Sequence, residues 1–263
     1  MFRALYTAAS GMQAQQTNLD TIANNLSNSS TAGFQSRRMQ FQDLIYQSTV
    51  MPGAAASQQT TVATGLQIGL GTHPAASEII QLQGNINATG NPLDLAIEGH
   101  GLFQVLLPTG ETAYTRSGAF HQDAQGNVVT SDGNPLQPAV TIPAGATSIT
   151  ISPDGTLSVT LAGQSAAQQV GSLQLALFPN PGGLNSVGKN LYLATTASGD
   201  PAVGTPGGSD GLGQIEQGYL EQSNVSVVDE FINMIVAQRS YEANSRVIDA
   251  ANQMFQLVNT MGK

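Results

Sequence analysis

The chain has 263 residues, no cysteine, only 10 % charged residues and a formal net charge of −9. That length allows one large or two modest domains with a real core, and the missing thiols exclude disulfides, thiolate metal sites and cysteine nucleophiles. Between Met39 and Gln238 fourteen acids outnumber two bases, Arg116 and Lys189, a balance that repels phosphate backbones and argues against nucleic acid as a partner. So low a charge content suits a surface covered by neighbours, and equally a β-rich extracytoplasmic domain.

Leu5, Met12, Leu19 and Leu26 recur every seven residues, with Ala8 and Ile22 three positions after Leu5 and Leu19. This spacing predicts an N-terminal helix of about 22 residues, roughly 33 Å long, with one apolar seam. Met1 to Tyr6 begin like a signal peptide, but Thr7, Ser10 and Gln13 interrupt the apolar run. The helix is expected to stop between Ser27 and Gly33, where a polar stretch leads into a glycine. Residues 34–71 read as an extended connector. It holds a short helical candidate at Phe41 to Tyr46, then Pro52-Gly53, an alanine run and a Gln/Thr tract.

From residue 72 to 218 the period changes to two. Leu157, Val159 and Leu161 alternate with Ser158 and Thr160, and Leu173, Leu175 and Leu177 follow the same rule. Turn signals separate such runs at Pro108-Thr109-Gly110, at Asp123 to Asn127, at Ser131 to Asn134 and at Ser152-Pro153-Asp154-Gly155. A Gly- and Pro-rich loop from Ser198 to Gly213 leads back to a second helical segment, 219–263. There Val227, Met234, Tyr241, Ile248 and Phe255 repeat the heptad interval over about 33 residues, roughly 50 Å. No window approaches the ~18 apolar residues of a membrane span.

The expected fold is therefore α+β: terminal helices paired as a coiled-coil-like domain, an inserted antiparallel all-β middle, and the connector. Its segments are 1–33, 34–71, 72–218 and 219–263. Gln15, Gln238, Asn244, Ser245 and Asn252 interrupt both seams, so the pair is weak alone, and the ends are expected to order on meeting copies of themselves.

No stretch compels a catalytic, cofactor or metal assignment. Gly183 to Asn190 matches the glycine and lysine positions of a phosphate loop, but Asn190 replaces the metal-binding hydroxyl and Leu191 to Leu193 reads as a strand, which favours a β-turn. His73, His100 and His121 stand far apart. Asp123 to Asn127, with Asp132 and Asn134, has calcium-type oxygens without the regular spacing, and reads as hairpin turns.

The stretches SGMQAQQTNLDTIANNLSNSSTAGFQ and GYLEQSNVSVVDEFINMIVAQRSYEANSRVIDAANQM resemble the paired terminal signatures of the axial proteins of the bacterial flagellum. LIYQSTVMPGAAASQQTTVATGLQIGLG, AYTRSGAF and GLNSVGKNLY extend the resemblance through the middle, toward the distal-rod branch of that family. Ser27 stands where the family more often has alanine. The resemblance implies a non-enzymatic subunit that polymerises helically into a hollow driveshaft across the periplasm, without cofactors or a membrane span. Implied partners are copies of itself, proximal rod proteins, the hook protein, the surrounding P- and L-ring proteins and the flagellar type III export apparatus.

Self-assembly contacts are then expected from Leu5, Met12, Leu19, Ile22 and Leu26, and from Val227, Phe231, Met234, Tyr241, Ile248 and Phe255. Asn24, Asn25, Asn28, Gly33 and Phe34 would shape the exit from the helix, the asparagines by bonding backbone groups or by ending the helix. The connector from about Tyr46 to Gly69 would wedge between neighbours and stiffen the polymer. The alternatives are a proximal rod subunit, a secreted β-rich enzyme acting on cell-wall glycan through Asp94, Glu98 or Glu111, and a monomeric adhesin, in which paired heptads have no purpose.

Overall fold

The computed structural model describes residues 2–53, 63–163, 166–208 and 211–261; the alanine run and Gln/Thr tract of the connector lie outside them. Two long helices, α1 (Phe2–Ser27) and α2 (Val227–Met261), stand at the ends of the chain, and the residues between them form mostly antiparallel strands. The fold is α+β. Contacts divide it into two compact units. One gathers residues 2–26, 37–78 and 227–261; the other gathers 27–36 and 79–226.

In the first unit the helices are joined by strands β1 (Arg37–Asp43), β2 (Tyr46–Val50), β3 (Leu66–Gly69) and β4 (Thr72–Ile79). Phe41 to Tyr46, expected as a short helix, is extended: β1 pairs with β4, and β2 pairs with β3 from Tyr46↔Gly69 to Val50↔Leu66. Local composition at Phe41 to Tyr46 suits either state, and the partner strands some twenty to thirty residues further on decide it. The connector thus contributes paired strands to the helical unit. Thr72 to Glu78, expected at the start of the β middle, belongs to the same unit. The start of β4 rests on α1, where the Ser10 hydroxyl accepts from the Thr72 amide at 3.4 Å.

Asn25 locks this unit. Its side chain is 1 % exposed, and its amide bonds both polar groups of one peptide-chain residue: Nδ2 donates to the Arg37 carbonyl at 2.8 Å, and Oδ1 accepts from the Arg37 amide at 3.0 Å. Nδ2 also donates to Glu230 Oε1 at 2.7 Å. One asparagine therefore ties α1 to β1 and to the first turn of α2. That turn carries Asp229 and Glu230, acids that suit the positive end of the helix dipole.

The second unit is built on a seven-stranded sheet centred on the hairpin of residues 102–106 and 112–115, which are joined through Pro108 to Gly110. Strands Leu191–Leu193 and Leu175–Leu177 flank the hairpin antiparallel. Phe103, Val105, Leu157, Val159 and Leu175 fill the core, with Phe103 and Phe120 edge to face at 5.2 Å. The Leu157/Val159 alternation is the strand Thr156–Leu161, whose inward side chains are buried. Residues 219–221, expected within the C-terminal helical segment, form a strand on Ile86–Ala88, and the helix begins at Val227.

A buried ion pair holds the segments of this unit that precede and follow the sheet. Arg116 and Glu221 are 8 % and 1 % exposed. Nε of Arg116 donates to Glu221, and its remaining nitrogens donate to the carbonyls of Ile97, Gly99 and Gly101. Glu221 further accepts from the Gly84 amide at 3.0 Å, and its carbonyl accepts from the Gly33 amide at 2.8 Å. Gly33 has φ +69°, and a Cβ there would sit 2.5 Å from the Ser117 nitrogen, so the turn after α1 requires glycine twice over. A Cβ on Gly84 would come closer still, 2.1 Å from the Gln222 carbonyl oxygen.

Hydrogen bonds from Arg38 and Gln40 hold the Glu78 carboxyl below its ordinary pKa, and bonds from Asn127 do the same for Asp123. Depressed carboxylates stabilise the fold above their unfolded pKa and lose that contribution as pH falls through the folded one, so these turns and pairs persist at neutral pH. Replacing Arg116 by methionine should lower stability in urea by about 3–5 kcal/mol, because Glu221 is left charged and buried. Arg38→Met, which breaks an exposed pair with Glu78, should cost under about 1 kcal/mol. Asn25→Asp should lower the thermal midpoint of the helical circular dichroism signal more than Asn25→Ala. The aspartate cannot donate to Arg37 and places a second carboxylate against Glu230.

Candidate self-assembly surface

The two helices meet at three places. The rings of Phe2 and Phe255 meet tilted, with centroids 5.3 Å apart, Gly11 packs on the Asn244 side chain, where a Cβ would come within 2.8 Å, and Asn25 bonds Glu230. These contacts fix an antiparallel register. It sets Leu5 level with Ala251 and Leu19 level with Ala237, so large residues on α1 meet small ones on α2.

Ala8, Ile22 and Asn25 of α1, with Ala237 and Ala251 of α2, are buried. Leu5, Met12, Leu19 and Leu26 are half-buried, as are Met234, Ile248 and Phe255, whereas Val227, Phe231 and Tyr241 are exposed. Asn24 is exposed, Asn28 and Phe34 are half-buried, and Gly33 is buried. Most residues read from the heptads thus lie along the face by which each helix meets the other within one chain.

A different set remains uncovered. Val228, Ile232, Ile235 and Val236 are 54–69 % exposed, and Val247, Met254, Leu257 and Met261 continue along the helix. Val228, Ile232 and Ile235 follow the i, i+4, i+7 rule of a single helical face, roughly opposite Ala237 and Ala251. Arg239 and Arg246 interrupt the stripe. Helix α2 is therefore apolar on two sides. Heptad counting finds one of them; the signal for the other was present in Val228-Ile232-Ile235 but is hidden when every apolar residue is assigned to one seam.

The candidate catalytic acids are placed otherwise. Asp94 is buried and accepts from Thr89 Oγ1 at 2.6 Å and Asn91 Nδ2 at 3.0 Å, as the centre of a turn. Glu98 and Glu111 are exposed. Among the described residues no three His, Asp or Glu side chains converge as metal ligands. Asp123 accepts from the amides of Gln125 and Asn127, closing the hairpin between residues 120–122 and 128–130. Gly183 to Asn190 is a turn and a strand, with Lys189 and Asn190 at φ 56° and 58° in the hairpin that leads to Leu191; Lys189 pairs with Asp132 at 2.9 Å. Among the described residues no helix is long and apolar enough to cross a membrane.

Family models match three parts of the chain: flagella basal body rod protein over residues 5–35, flagellar hook protein FlgE/F/G D1 domain over 96–159, and flagellar basal body rod FlgEFG protein C-terminal over 216–261. The chain is 48 % identical to the flagellar basal-body rod protein FlgG of Caulobacter vibrioides, over 98 % of this chain and 99 % of that one. It is 45 % identical to the proteins of the same name from Borreliella burgdorferi, over 99 % of both chains, and from Buchnera aphidicola of Acyrthosiphon pisum, over 99 % and 100 %. Identity of this extent from end to end, with matching models at both helices and in the strands between, means that the chain belongs to the flagellar basal-body rod proteins, structural subunits of the rod of the flagellar basal body.

Proposed function

We propose that copies of this chain stack head to tail into the distal rod, the driveshaft that carries motor torque to the hook. The observation that carries this reading is the uncovered apolar stripe of α2, Val228 to Val236, which nothing in the described chain buries. Hiding a large aliphatic side chain from water is worth about 1.5–3 kcal/mol, and these residues are only partly shielded. A contact that does not close on itself extends as an open helical polymer. The paired α1 and α2, as a coiled-coil-like hairpin, then line the inner tube around the export channel, and the β-rich middle is inserted between them in the chain.

The distal position is supported by likeness that runs through the connector and the middle as well as the ends. On this reading the segment from Tyr46 to Gly69, framed by β2 and β3, wedges between neighbouring copies and keeps the rod straight. Proximal rod proteins and the hook protein adjoin it at either end, the P- and L-ring proteins surround it, and the type III export apparatus delivers the subunits. The protein has no catalytic task, and flagellar motility depends on it.

Ile232→Asp should abolish sedimentable polymer and swarming while shifting the monomer's stability by less than about 0.5 kcal/mol, since the side chain is solvent-facing in the single chain. Met234→Asp, on the inner seam, should instead lower the helical melting temperature. Normal polymer from the Ile232 variant would refute the reading.

A further inference from the structure

Helix α2 spans Val227–Met261, 35 residues, so Asn244 stands at its middle level. On the uncovered face the ridge Val228-Ile232-Ile235 continues by the same steps of four and three residues through Arg239, Glu242, Arg246 and Asp249, all of them exposed. These four charges lie five and two residues before Asn244 and two and five residues after it, with signs plus, minus, plus and minus. Each charge therefore has its opposite at the mirror position across the middle of the helix. Glu242 pairs with Arg239 over one exposed turn at 3.0 Å, and among the described residues Arg246 and Asp249 make no ion pair.

We infer that this face docks on the same face of α2 in a second copy of the chain, laid antiparallel across a two-fold axis at the level of Asn244. Arg239 of each copy then stands level with Asp249 of the other, and Glu242 of each with Arg246 of the other. Four ion pairs between copies result.

Three observations select this occupant and this register. Parallel copies in register would set Arg239 on Arg239 and Glu242 on Glu242, and like charges face to face repel. The antiparallel register that matches the charges is also the one that overlaps the two helices from end to end, because Val227 of one copy then meets Met261 of the other. The apolar ridge is covered in the same register. Leu257, 62 % exposed, comes level with the turn between Val228 and Ile235 of the other copy, while Gln253 and Gln256 come level with Ile235 and Ile232.

A patch that meets itself across a two-fold axis closes as a dimer and does not propagate. The dimer hides the stripe by which copies join head to tail, so it holds subunits out of the polymer. This consequence rests on the head-to-tail reading; the pairing itself does not.

Charge reversal reads the contact, with sedimentation equilibrium below the concentration at which polymer forms. Glu242→Arg and Arg246→Glu each alter the contact twice, once per copy, and each variant alone should dimerise at least about tenfold more weakly than the unmodified chain, the equivalent of ~1.4 kcal/mol. An equal mixture of the two variants should regain the affinity of the unmodified chain, because arginines of one copy then meet glutamates of the other at both levels. The double variant should regain it too. A role confined to the helix of one chain is not restored by mixing. Release from the dimer should also shorten the lag before Glu242→Arg polymerises at least about twofold. A monomeric unmodified chain, single variants that dimerise normally, or a mixture no better than its components overturns the pairing and leaves the head-to-tail reading intact. A dimer whose loss does not hasten polymer overturns the competition. Normal polymer from Ile232→Asp overturns the head-to-tail reading and leaves the pairing standing.

Discussion

The helical unit depends on the buried side-chain amide of Asn25. A helix can end in many ways, but only an amide supplies a donor and an acceptor at the spacing of a peptide group. Asn25 uses both on Arg37, as a neighbouring strand would, and spends its second hydrogen on Glu230. The start of β1, the end of α1 and the first turn of α2 are thereby set against one another. With that corner fixed, the antiparallel register follows along the helices through Gly11 on Asn244 to Phe2 on Phe255.

That register explains why α2 can serve two masters. Its alanines, Ala237 and Ala251, are buried on the face turned toward α1. The outer face is uncovered. An aliphatic stripe so exposed, in a chain with few charges to break it up, is stable in water only at a cost that association removes. Membership of the basal-body rod proteins gives the stripe a setting in which every subunit is flanked by others. The β-rich unit is organised differently, by a closed apolar core and by an Arg116–Glu221 pair whose polar atoms are satisfied by the carbonyls of Ile97, Gly99 and Gly101 and by the Gly84 amide. Such a pair contributes little net stability over an apolar substitute, but severing it leaves a buried charge.

The helices were legible in the sequence because periodicity is local: Leu5 to Leu26 and Val227 to Phe255 announce their seams without reference to any other part of the chain. The strand alternation at Leu157 and Val159 was legible for the same reason, and the turn at Asp123 to Asn127 followed from residues that bond their own backbone. Phe41 to Tyr46 was misread because its strand character is conferred by Thr72 to Ile79 rather than by its own pattern. Arg116 stood out only as a rare base among acids, and nothing near it in sequence points to Glu221, more than a hundred residues away.

By itself, then, the sequence determined that two amphipathic helices bracket a β-rich middle, since this depends on spacing and composition, while the resemblance to the flagellar axial proteins rests on the residues of its terminal and middle stretches. The tertiary structure decided which apolar face each helix turns inward, which strands pair, and which of two stripes on α2 stays uncovered in the single chain. Those choices depend on contacts between residues far apart in the chain, where the energy of a side chain is set by what it meets and not by its neighbours in sequence.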